Sequence, residues 1–274
     1  MAMAPPVAGE FVDVEGVRTF YIKKGTGPAF FMLHGAAPGG CSTVIWRPSI
    51  DFFAQSGFTV YAFDQPGFGY TANPTDYSME FRVKHAQAFI TQAGVGEYHL
   101  AGNSMGGYIA GRVALADQER TKRLVIVASG GLGPPASAEV EAISREHGRE
   151  LRDYTPTLEN MRQLTSGTIF NKGVITDELV EHRYEMSIGK NHEAQEGRAA
   201  APPLRVVNEE LRSLKGKTLV VWGTNDRGSP VEKGLVLFQT IPGAELHVFD
   251  RCGHWPMWDH TDRFNTLVRD FLVS

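Results

Sequence analysis

The chain has little of what marks several specialised classes of protein. Only two of its 274 residues are cysteines, which is too few for a disulfide framework, so a reducing cytoplasm is the expected location. The formal net charge of −4 leaves no basic surface for nucleic acid or an anionic membrane. No apolar run approaches the roughly 18 residues of a membrane span, and the start MAMAPPVAGE lacks the basic and apolar regions of a signal peptide. We therefore expect a cytoplasmic globular protein whose partners include neither nucleic acid nor a membrane.

What the sequence does have is an alternation of short apolar runs with helix-like stretches. Several of the runs are apolar at nearly every position, as strands covered on both faces of a parallel sheet are. The alternation predicts an α/β fold, with a mostly parallel sheet flanked by helices. After an opening pair, the expected strands are AFFML, FTVYAF, YHLAG, LVIVAS, TLVVW and ELHVF, and the expected helices lie near 79–93, 105–117, 231–240 and 261–272.

This alternation stops between about residues 132 and 205. The proline-rich stretch GLGPPAS opens the interval and AAAPPL closes it, and helix-forming stretches lie between them without a convincing strand. We interpret the interval as an inserted helical cap. The chain then divides into a first part of the core (1–131), the cap (132–205) and a second part of the core (206–274). Extra helices packed into the core are the alternative.

The stretch YHLAGNSMGGYIA places a serine between two glycines, directly after an apolar strand and directly before a helical pattern. A Gly-x-Ser-x-Gly pentad in this setting is typical of a nucleophile elbow, a turn so tight that the glycine positions leave no room for a Cβ. A bare pentad also arises by chance, and the strand–turn–helix setting is what favours the functional interpretation. We predict that Ser104 is a nucleophile and that Gly102 and Gly106 make room for its turn.

A serine nucleophile needs a histidine base, and the base needs an acid that orients it. In chains with this elbow, the acid and then the histidine follow the serine. The stretch TLVVWGTNDRGSP places Asp226 after one late strand, and ELHVFDRCGHWPMWD places His254 after the next. We predict Ser104, Asp226 and His254 as the catalytic triad. Asp250 also ends a strand and is the alternative acid.

The negatively charged oxygen that forms when a serine attacks a carbonyl group needs two N–H donors. One predicted donor of this oxyanion hole is the backbone N–H of Met105, directly after the nucleophile. The other is expected from the loop HGAAPGG after the strand AFFML, where Ala36 is the first choice and Ala37 the alternative. His34 begins this loop and is expected to fix it by side-chain hydrogen bonds.

Beyond the pentad, six motifs together resemble the meta-cleavage product hydrolases of the α/β-hydrolase superfamily: LHGAAPGG, DQPGFG, GNSMGG, SGGLGP, WGTNDR and LHVFDRCGHWPMWDH. The resemblance implies an α/β-hydrolase fold with an inserted helical cap. It implies cleavage of a carbon–carbon bond in a 2-hydroxy-6-oxo-hexa-2,4-dienoate, a ring-fission product of aromatic degradation, to 2-hydroxypenta-2,4-dienoate and a carboxylic acid. It also implies a small-molecule substrate, neither a metal nor another cofactor, and a homodimer or larger homo-oligomer.

The same resemblance assigns substrate-binding residues. Asn103 matches a polar residue that lines the acidic end of the substrate, and Trp255 matches a tryptophan that follows the catalytic histidine. Arg183, in the expected cap, matches an arginine that contacts the dienoate. His34, the loop histidine, is also predicted as a substrate-binding residue. Without the resemblance, Arg183 would be interpreted as a solvated cation on a cap helix.

One position departs from the family. The family usually has an asparagine eleven residues after the loop histidine. In this sequence that position is Ile45. Either a neighbour such as Ser42 or Thr43 supplies the missing polar contact, or the substrate differs. An ester or lactone hydrolase with the same triad is therefore the alternative function. A non-enzymatic receptor on a hydrolase scaffold is disfavoured because all three residues of the triad are present.

Overall fold

The structure is built around a single sheet. The computed structural model describes residues 8–202 and 207–274, and in these ranges eight strands join in the order first, second, fourth, third, fifth, sixth, seventh, eighth. In chain order the strands are β1 (Glu10–Val14), β2 (Val17–Lys24), β3 (Ala29–Leu33), β4 (Thr59–Phe63), β5 (Tyr98–Asn103), β6 (Thr121–Val127), β7 (Lys217–Gly223) and β8 (Glu245–Phe249).

Seven of the eight strands run in the same direction, and β2 runs opposite to them. β1 and β2 form an antiparallel hairpin, and β2 pairs antiparallel with β4, whereas the pairs from β4 across to β8 are all parallel. Every residue of β3 and β5 is buried, which explains the unbroken apolar run of β3. Because the carboxyl ends of parallel strands meet at one edge, the loops after β3, β5, β7 and β8 lie together there, where open α/β sheets bind ligands.

Helices connect and flank the strands. In chain order they are α1 (Ser42–Ile45), α2 (Arg47–Gln55), α3 (Met79–Gln92), α4 (Met105–Ala116), α5 (Ala138–Arg152), α6 (Leu158–Thr168), α7 (Asp177–Glu185), α8 (Lys190–Ala199), α9 (Asn208–Leu211), α10 (Val231–Thr240), α11 (Pro256–Asp259) and α12 (Thr261–Val273), with a short 3₁₀ helix at Lys172–Val174. The predicted α/β fold, a mostly parallel sheet flanked by helices, is confirmed.

Serine and threonine N-caps explain where several helices begin. Ser137, Thr157 and Thr176 precede α5, α6 and α7, and each side-chain oxygen accepts a backbone N–H three residues further on. Such a cap satisfies one of the N–H groups that the first turn of a helix leaves unpaired, and it contributes about 1 kcal/mol to stability. All three capped helices lie between β6 and β7, so the helical interval expected from the sequence has clear local start signals.

The interval between β6 and β7 also has a small hydrophobic cluster of its own. Tyr154, Met161 and Val180 are buried against one another, separate from the main core around the sheet. The expected end of the cap at residue 205, and the expected start of the second core part at 206, lie outside the described residues. No helix in residues 8–202 or 207–274 has the length and apolar character that crossing a membrane requires.

Candidate active site

The turn between β5 and α4 holds Ser104 in a conformation that few non-glycine residues adopt. Its φ is 55° and its ψ is −120°, and such backbone strain costs about 1–3 kcal/mol. The strain is offset by two hydrogen bonds: the Ser104 N–H donates to the Val127 carbonyl oxygen over 2.9 Å, and the Ser129 hydroxyl donates to the Ser104 carbonyl oxygen over 2.7 Å. Ser104 is also the N-cap residue of the twelve-residue helix α4. The N-terminus of a helix favours negative charge, so it favours a negatively charged group close to Ser104.

The two glycines of the pentad are needed because backbone passes directly over them. A Cβ at Gly102 would overlap the carbonyl oxygen of Gly106, and a Cβ at Gly106 would overlap the carbonyl oxygen of Leu33. In both cases the neighbour is backbone, which cannot rotate away as a flexible side chain could. The sequence predicted that these positions leave no room for a Cβ. In the structure the obstacle is backbone, that of the elbow itself at Gly102 and that of β3 at Gly106.

We expect Gly106→Ala to destabilise the protein by about 3 kcal/mol, because forcing a methyl group against backbone costs 1–3 kcal/mol or more. Urea unfolding followed by circular dichroism measures the change. Gly96→Ala is the matched control, since nothing lies within 4 Å of a Cβ at Gly96, and its free energy of unfolding is expected within about 0.5 kcal/mol of the wild type. Equal stability of the two variants would contradict the close approach.

Asp226 and His254, after β7 and β8, form a short hydrogen bond of 2.6 Å between Oδ2 and Nδ1. The other carboxylate oxygen of Asp226 accepts the backbone N–H groups of Gly228 and Ser229 at 3.0 and 2.9 Å. An ionised carboxylate only accepts, so Nδ1 of the imidazole donates, and the neutral ring then has its lone pair on Nε2. His254 is therefore held in the tautomer that a general base requires.

The alternative acid, Asp250, has a different environment. It is exposed, and its side chain accepts a long hydrogen bond of 3.4 Å from the Thr224 hydroxyl. Its backbone carbonyl oxygen lies 3.0 Å from Nε2 of His260. Within the described residues, the carboxylate that contacts His254 is that of Asp226. The geometry favours Asp226 over Asp250 as the orienting acid.

A cavity of about 590 Å³ lies at this edge of the sheet, next to the elbow. Its volume is within the roughly 300–1,000 Å³ typical of small-molecule sites. Its lining includes all three residues of the predicted triad and all of the predicted oxyanion donors: Ser104, Asp226, His254, Ala36, Ala37 and Met105. Residues as far apart in the chain as Ala36 and His254 are thus brought to the wall of one cavity.

His34 is fully buried and lies outside this lining. Its Nδ1 donates to the Gly35 carbonyl oxygen over 2.8 Å, and its Nε2 accepts the Gln65 backbone N–H over 2.9 Å. Burial lowers the pKa of His34, which keeps the ring neutral, as these two hydrogen bonds require. The side chain fixes the loop that carries Ala36, as expected from the sequence, and both of its polar atoms are occupied in doing so.

Three further predicted binding residues are buried next to the triad. The Asn103 amide donates to the carbonyl oxygens of Val127 and His254 at 3.3 and 3.2 Å. Nε of Arg183 donates to the Pro38 carbonyl oxygen at a distance of 3.2 Å. The guanidinium group also stacks on the ring of Trp255, with its carbon 4.6 Å from the ring centroid. Burial lowers the pKa of Arg183 to about 9, so the group keeps its charge at neutral pH.

Two of these side chains, Asn103 and Arg183, each have one polar atom without a hydrogen-bond partner among the described residues. These atoms are Oδ1 of Asn103 and Nη2 of Arg183, and both are buried. Buried polar groups are nearly always paired, so an unpaired acceptor on the residue before Ser104 and an unpaired donor on the guanidinium that stacks on Trp255 are both available to a polar ligand. Neither residue lines the 590 Å³ cavity itself.

A profile described as the alpha/beta hydrolase family matches residues 30–267. The chain belongs to this family. The 2-hydroxymuconate semialdehyde hydrolase of Pseudomonas sp. (strain CF600) is 34% identical over 98% of this chain and 95% of its own length. The 2-hydroxy-6-oxo-6-phenylhexa-2,4-dienoate hydrolase of Burkholderia cepacia is also 34% identical, over 96% and 95%. A solved meta-cleavage product hydrolase from Pseudomonas fluorescens IP01 superposes with a TM-score of 0.86, at 32% identity and 97% coverage of each chain. The resemblance to the meta-cleavage product hydrolases is confirmed.

The position where this α/β hydrolase departs from the family pattern lies in α1. Ile45 is fully buried in the main hydrophobic core. Of the two neighbours expected to replace the missing amide, Ser42 donates its hydroxyl to Asp64 over 2.5 Å, and Thr43 lies 2.9 Å from Nε2 of His182. Both hydroxyls are therefore already hydrogen-bonded within the protein.

Sequence reasoning missed several polar residues of the hydrolase that line the cavity. They are Ser129, Glu141, Ser144, Ser229 and Lys233. Only Ser229 had a usable signal, since it follows the predicted acid by three residues in the same loop. Glu141 and Ser144 reach the cavity from α5, Lys233 from α10, and Ser129 from the segment after β6. A single sequence does not reveal this packing. In the described ranges, no three histidine, cysteine, aspartate or glutamate side chains cluster in a way that could hold a metal ion.

Proposed function

We propose that this α/β hydrolase cleaves a carbon–carbon bond in a 2-hydroxy-6-oxo-hexa-2,4-dienoate with a variable group at C6. The products are 2-hydroxypenta-2,4-dienoate and a carboxylic acid. The observation that carries the proposal is the 2.6 Å pair of Asp226 and His254 on the wall of the cavity that also exposes Ser104. Two relatives, a 2-hydroxymuconate semialdehyde hydrolase and a 2-hydroxy-6-oxo-6-phenylhexa-2,4-dienoate hydrolase, support this substrate class.

The proposed reaction starts with ketonisation of the dienol, which turns the departing carbon into a stabilised leaving group. Nε2 of His254 takes the hydroxyl proton of Ser104, and Oγ attacks the C6 carbonyl carbon. The backbone N–H groups of Ala36 and Met105 stabilise the resulting oxyanion, each contributing roughly 3–4 kcal/mol to lowering the barrier. Asp226 holds the tautomer of His254 and stabilises its cation.

Collapse of this intermediate breaks the bond between C5 and C6. The electron pair moves from C5 through the adjacent double bond to the C2 oxygen. The proton held by His254 passes to the departing fragment, which gives 2-hydroxypenta-2,4-dienoate and leaves His254 neutral. The acyl group stays on Ser104 as an ester. Water, deprotonated by His254, attacks this ester and releases the carboxylic acid, which restores the serine hydroxyl.

Arg183 is proposed to bind the carboxylate of the dienoate, with Asn103 and Trp255 beside it. The support is the unpaired Nη2 of a buried guanidinium that keeps its charge. Arg183→Met is expected to raise KM for the dienoate roughly 10–100-fold, the value of one charge-assisted hydrogen bond, and to leave KM for a neutral ester nearly unchanged. Steady-state kinetics on both substrates measures this.

Arg162→Met is the control for this prediction, because Arg162 is a half-exposed arginine of α6 paired with Asp177 on the surface. It is expected to behave as the wild type on both substrates. An equal loss on ester and dienoate in Arg183→Met would indicate a structural role for this side chain and would contradict carboxylate binding.

An ester or lactone hydrolase with the same triad is the second candidate, and the observation that favours it is Ile45 in place of the family asparagine. Turnover of 2-hydroxy-6-oxo-6-phenylhexa-2,4-dienoate, followed by loss of its yellow absorbance, is compared with hydrolysis of a p-nitrophenyl ester panel and a lactone. We expect the dienoate to have a kcat/KM at least 100-fold above the others. An unchanged dienoate beside rapidly consumed esters would reject carbon–carbon cleavage.

The organisation of the chain is part of the proposal. We propose that residues 132–205 form a cap over the site, supported by the separate cluster of Tyr154, Met161 and Val180. A cytoplasmic location is supported by Cys41 and Cys252, which are both buried free thiols. A homodimer or larger homo-oligomer is what the family resemblance implies, and size-exclusion chromatography with light scattering tests it.

A further inference from the structure

Part of the cavity next to Ser104 has a polar lining for which the proposed mechanism has no use. Four side chains contribute to it: Glu141 and Ser144 from α5, Ser229 from the loop after β7, and Lys233 from α10. The expected cap and the sheet core therefore meet at this point. We call these four side chains the distal cluster.

The two hydroxyls of the distal cluster are unsatisfied. Oγ of Ser144 and Oγ of Ser229 are buried, and neither has a hydrogen-bond partner in the part of the chain that the structure describes. Nearly all buried side-chain polar atoms in folded proteins do have one. Both residues line the cavity, so a hydrogen-bonding group of a bound ligand can reach them.

The charged members of the distal cluster neutralise each other. Lys233 is 8% exposed, and its Nζ donates to Oε2 of Glu141 over 2.8 Å. Oε1 of Glu141 accepts the Ala136 N–H over 3.0 Å. Burial acts to raise the pKa of Glu141, but these two hydrogen bonds, together with the charges of Lys233 and Arg145, outweigh it and lower the pKa. An ammonium group has three N–H donors, so Lys233 keeps donors for a ligand without adding net charge to the cluster.

We propose that the distal cluster binds an uncharged hydroxyl group carried by the C6 substituent of the substrate. The inference rests on the proposed function, with Ser104 at C6 and the dienoate directed to Arg183, outside this cavity. A purely apolar substituent would leave the hydroxyls of Ser144 and Ser229 unpaired. A carboxylate would lie beside the Glu141 carboxylate, and Lys233, the cation of the distal cluster, is already paired with that group. A hydroxyl group can donate and accept, as the two serines can.

Three dienoates with C6 groups of equal size test this selectivity: n-pentyl, 4-hydroxybutyl and 2-carboxyethyl. Each group has five non-hydrogen atoms, so differences in kcat/KM report polarity and charge rather than size. We expect the wild type to have a kcat/KM for the 4-hydroxybutyl substrate about tenfold above that for n-pentyl, the value of about one net hydrogen bond. The 2-carboxyethyl substrate is expected to be the poorest.

The double variant Ser144→Ala/Ser229→Ala assigns the preference to the cluster. The backbone N–H of Ser229 bonds to Asp226 and its carbonyl oxygen accepts from Trp222, and alanine keeps both contacts. The variant is expected to lose about tenfold in kcat/KM on the 4-hydroxybutyl substrate and to be unchanged on n-pentyl. Ser213→Ala, at an exposed serine after α9, is the control and is expected to match the wild type on all three substrates.

Each other outcome overturns the inference in a different way. Cleavage of the n-pentyl substrate at least as fast as the 4-hydroxybutyl substrate leaves the proposed function intact and removes the hydroxyl subsite. A preference for 2-carboxyethyl means that the cluster binds an anion. Equal losses on 4-hydroxybutyl and n-pentyl in the double variant mean that the serines are structural. Failure to cleave any of the three substrates rejects the proposed function together with the inference.

Discussion

Replacing Ser104 with alanine is expected to lower kcat for the phenyl dienoate by about 10⁶-fold, the size of the effect when the nucleophile of a well-studied serine protease is removed. In the proposed reaction the hydroxyl oxygen forms the bond to C6, and Ser104 lines the same cavity as the Asp226–His254 pair. Binding of the substrate is expected to stay within about threefold of the wild type, because the lost interaction is made in the transition state. Steady-state turnover and a spectroscopic titration of the bound dienoate measure the two quantities.

Ser129 offers an internal comparison, because it lines the same cavity and contacts the elbow. Its hydroxyl donates to the Ser104 carbonyl oxygen, so Ser129→Ala removes a support and leaves the nucleophile in place. We expect that variant to lose far less, about tenfold. If kcat fell less than tenfold in Ser104→Ala, or fell further in Ser129→Ala than in Ser104→Ala, another group would have to attack the substrate.

Replacing Asp226 with asparagine is expected to lower kcat/KM by about 10⁴-fold, the size of this effect in a well-studied serine protease triad. The asparagine can still accept the N–H groups of Gly228 and Ser229 through its oxygen, so the loop keeps its shape. Its NH₂ group then faces Nδ1 of His254 as a donor. The imidazole proton moves to Nε2, and the ring can no longer take a proton from the serine.

Asp250→Asn is the matched control for this prediction. Asp250 also follows a late strand, but it is exposed and is not the hydrogen-bond partner of His254. We expect its kcat/KM within about threefold of the wild type, because exposed polar substitutions have small effects. A loss in Asp250→Asn as large as that in Asp226→Asn would reassign the acid to the position that the sequence left as the alternative.

The sheet and the order of the candidate triad were predictable because their signals are local. A strand buried on both faces must be apolar at nearly every position, and β3 and β5 are buried at every residue. The elbow leaves its mark within five residues, since Gly102 and Gly106 face backbone that excludes a Cβ. The roles of the triad stay predictions, and the structure adds that its members line one cavity.

Two helices of nine or more residues, α2 and α8, escaped sequence reasoning for identifiable reasons. α2 follows α1 directly: Trp46 is both the C-cap of one and the N-cap of the other, and no side chain caps the start. α8 begins after Gly189, which has φ of 57°, and contains Gly197. A Cβ at Gly197 would overlap the ring of Tyr77, so this glycine is required by packing against a distant residue and weakens the local helical pattern.

The placement of Arg183 shows where pattern and tertiary structure disagree. A lone arginine on a polar helix such as α7 is normally solvated, and composition alone would place it there. In the structure it is fully buried, donates to Pro38 and Thr165, and stacks on Trp255. These contacts come from three separate parts of the chain, so only the family resemblance indicated its position beside the site.

The most direct test of the account is a single-turnover reaction of the phenyl dienoate with excess wild-type enzyme, quenched in acid at intervals and analysed by peptide mass spectrometry. The account predicts a benzoyl ester on the peptide that contains Ser104, which forms as the yellow absorbance is lost and decays as benzoic acid appears. Benzoic acid released at the full rate while the benzoyl group is found on a different residue, or on none at any time, would contradict it.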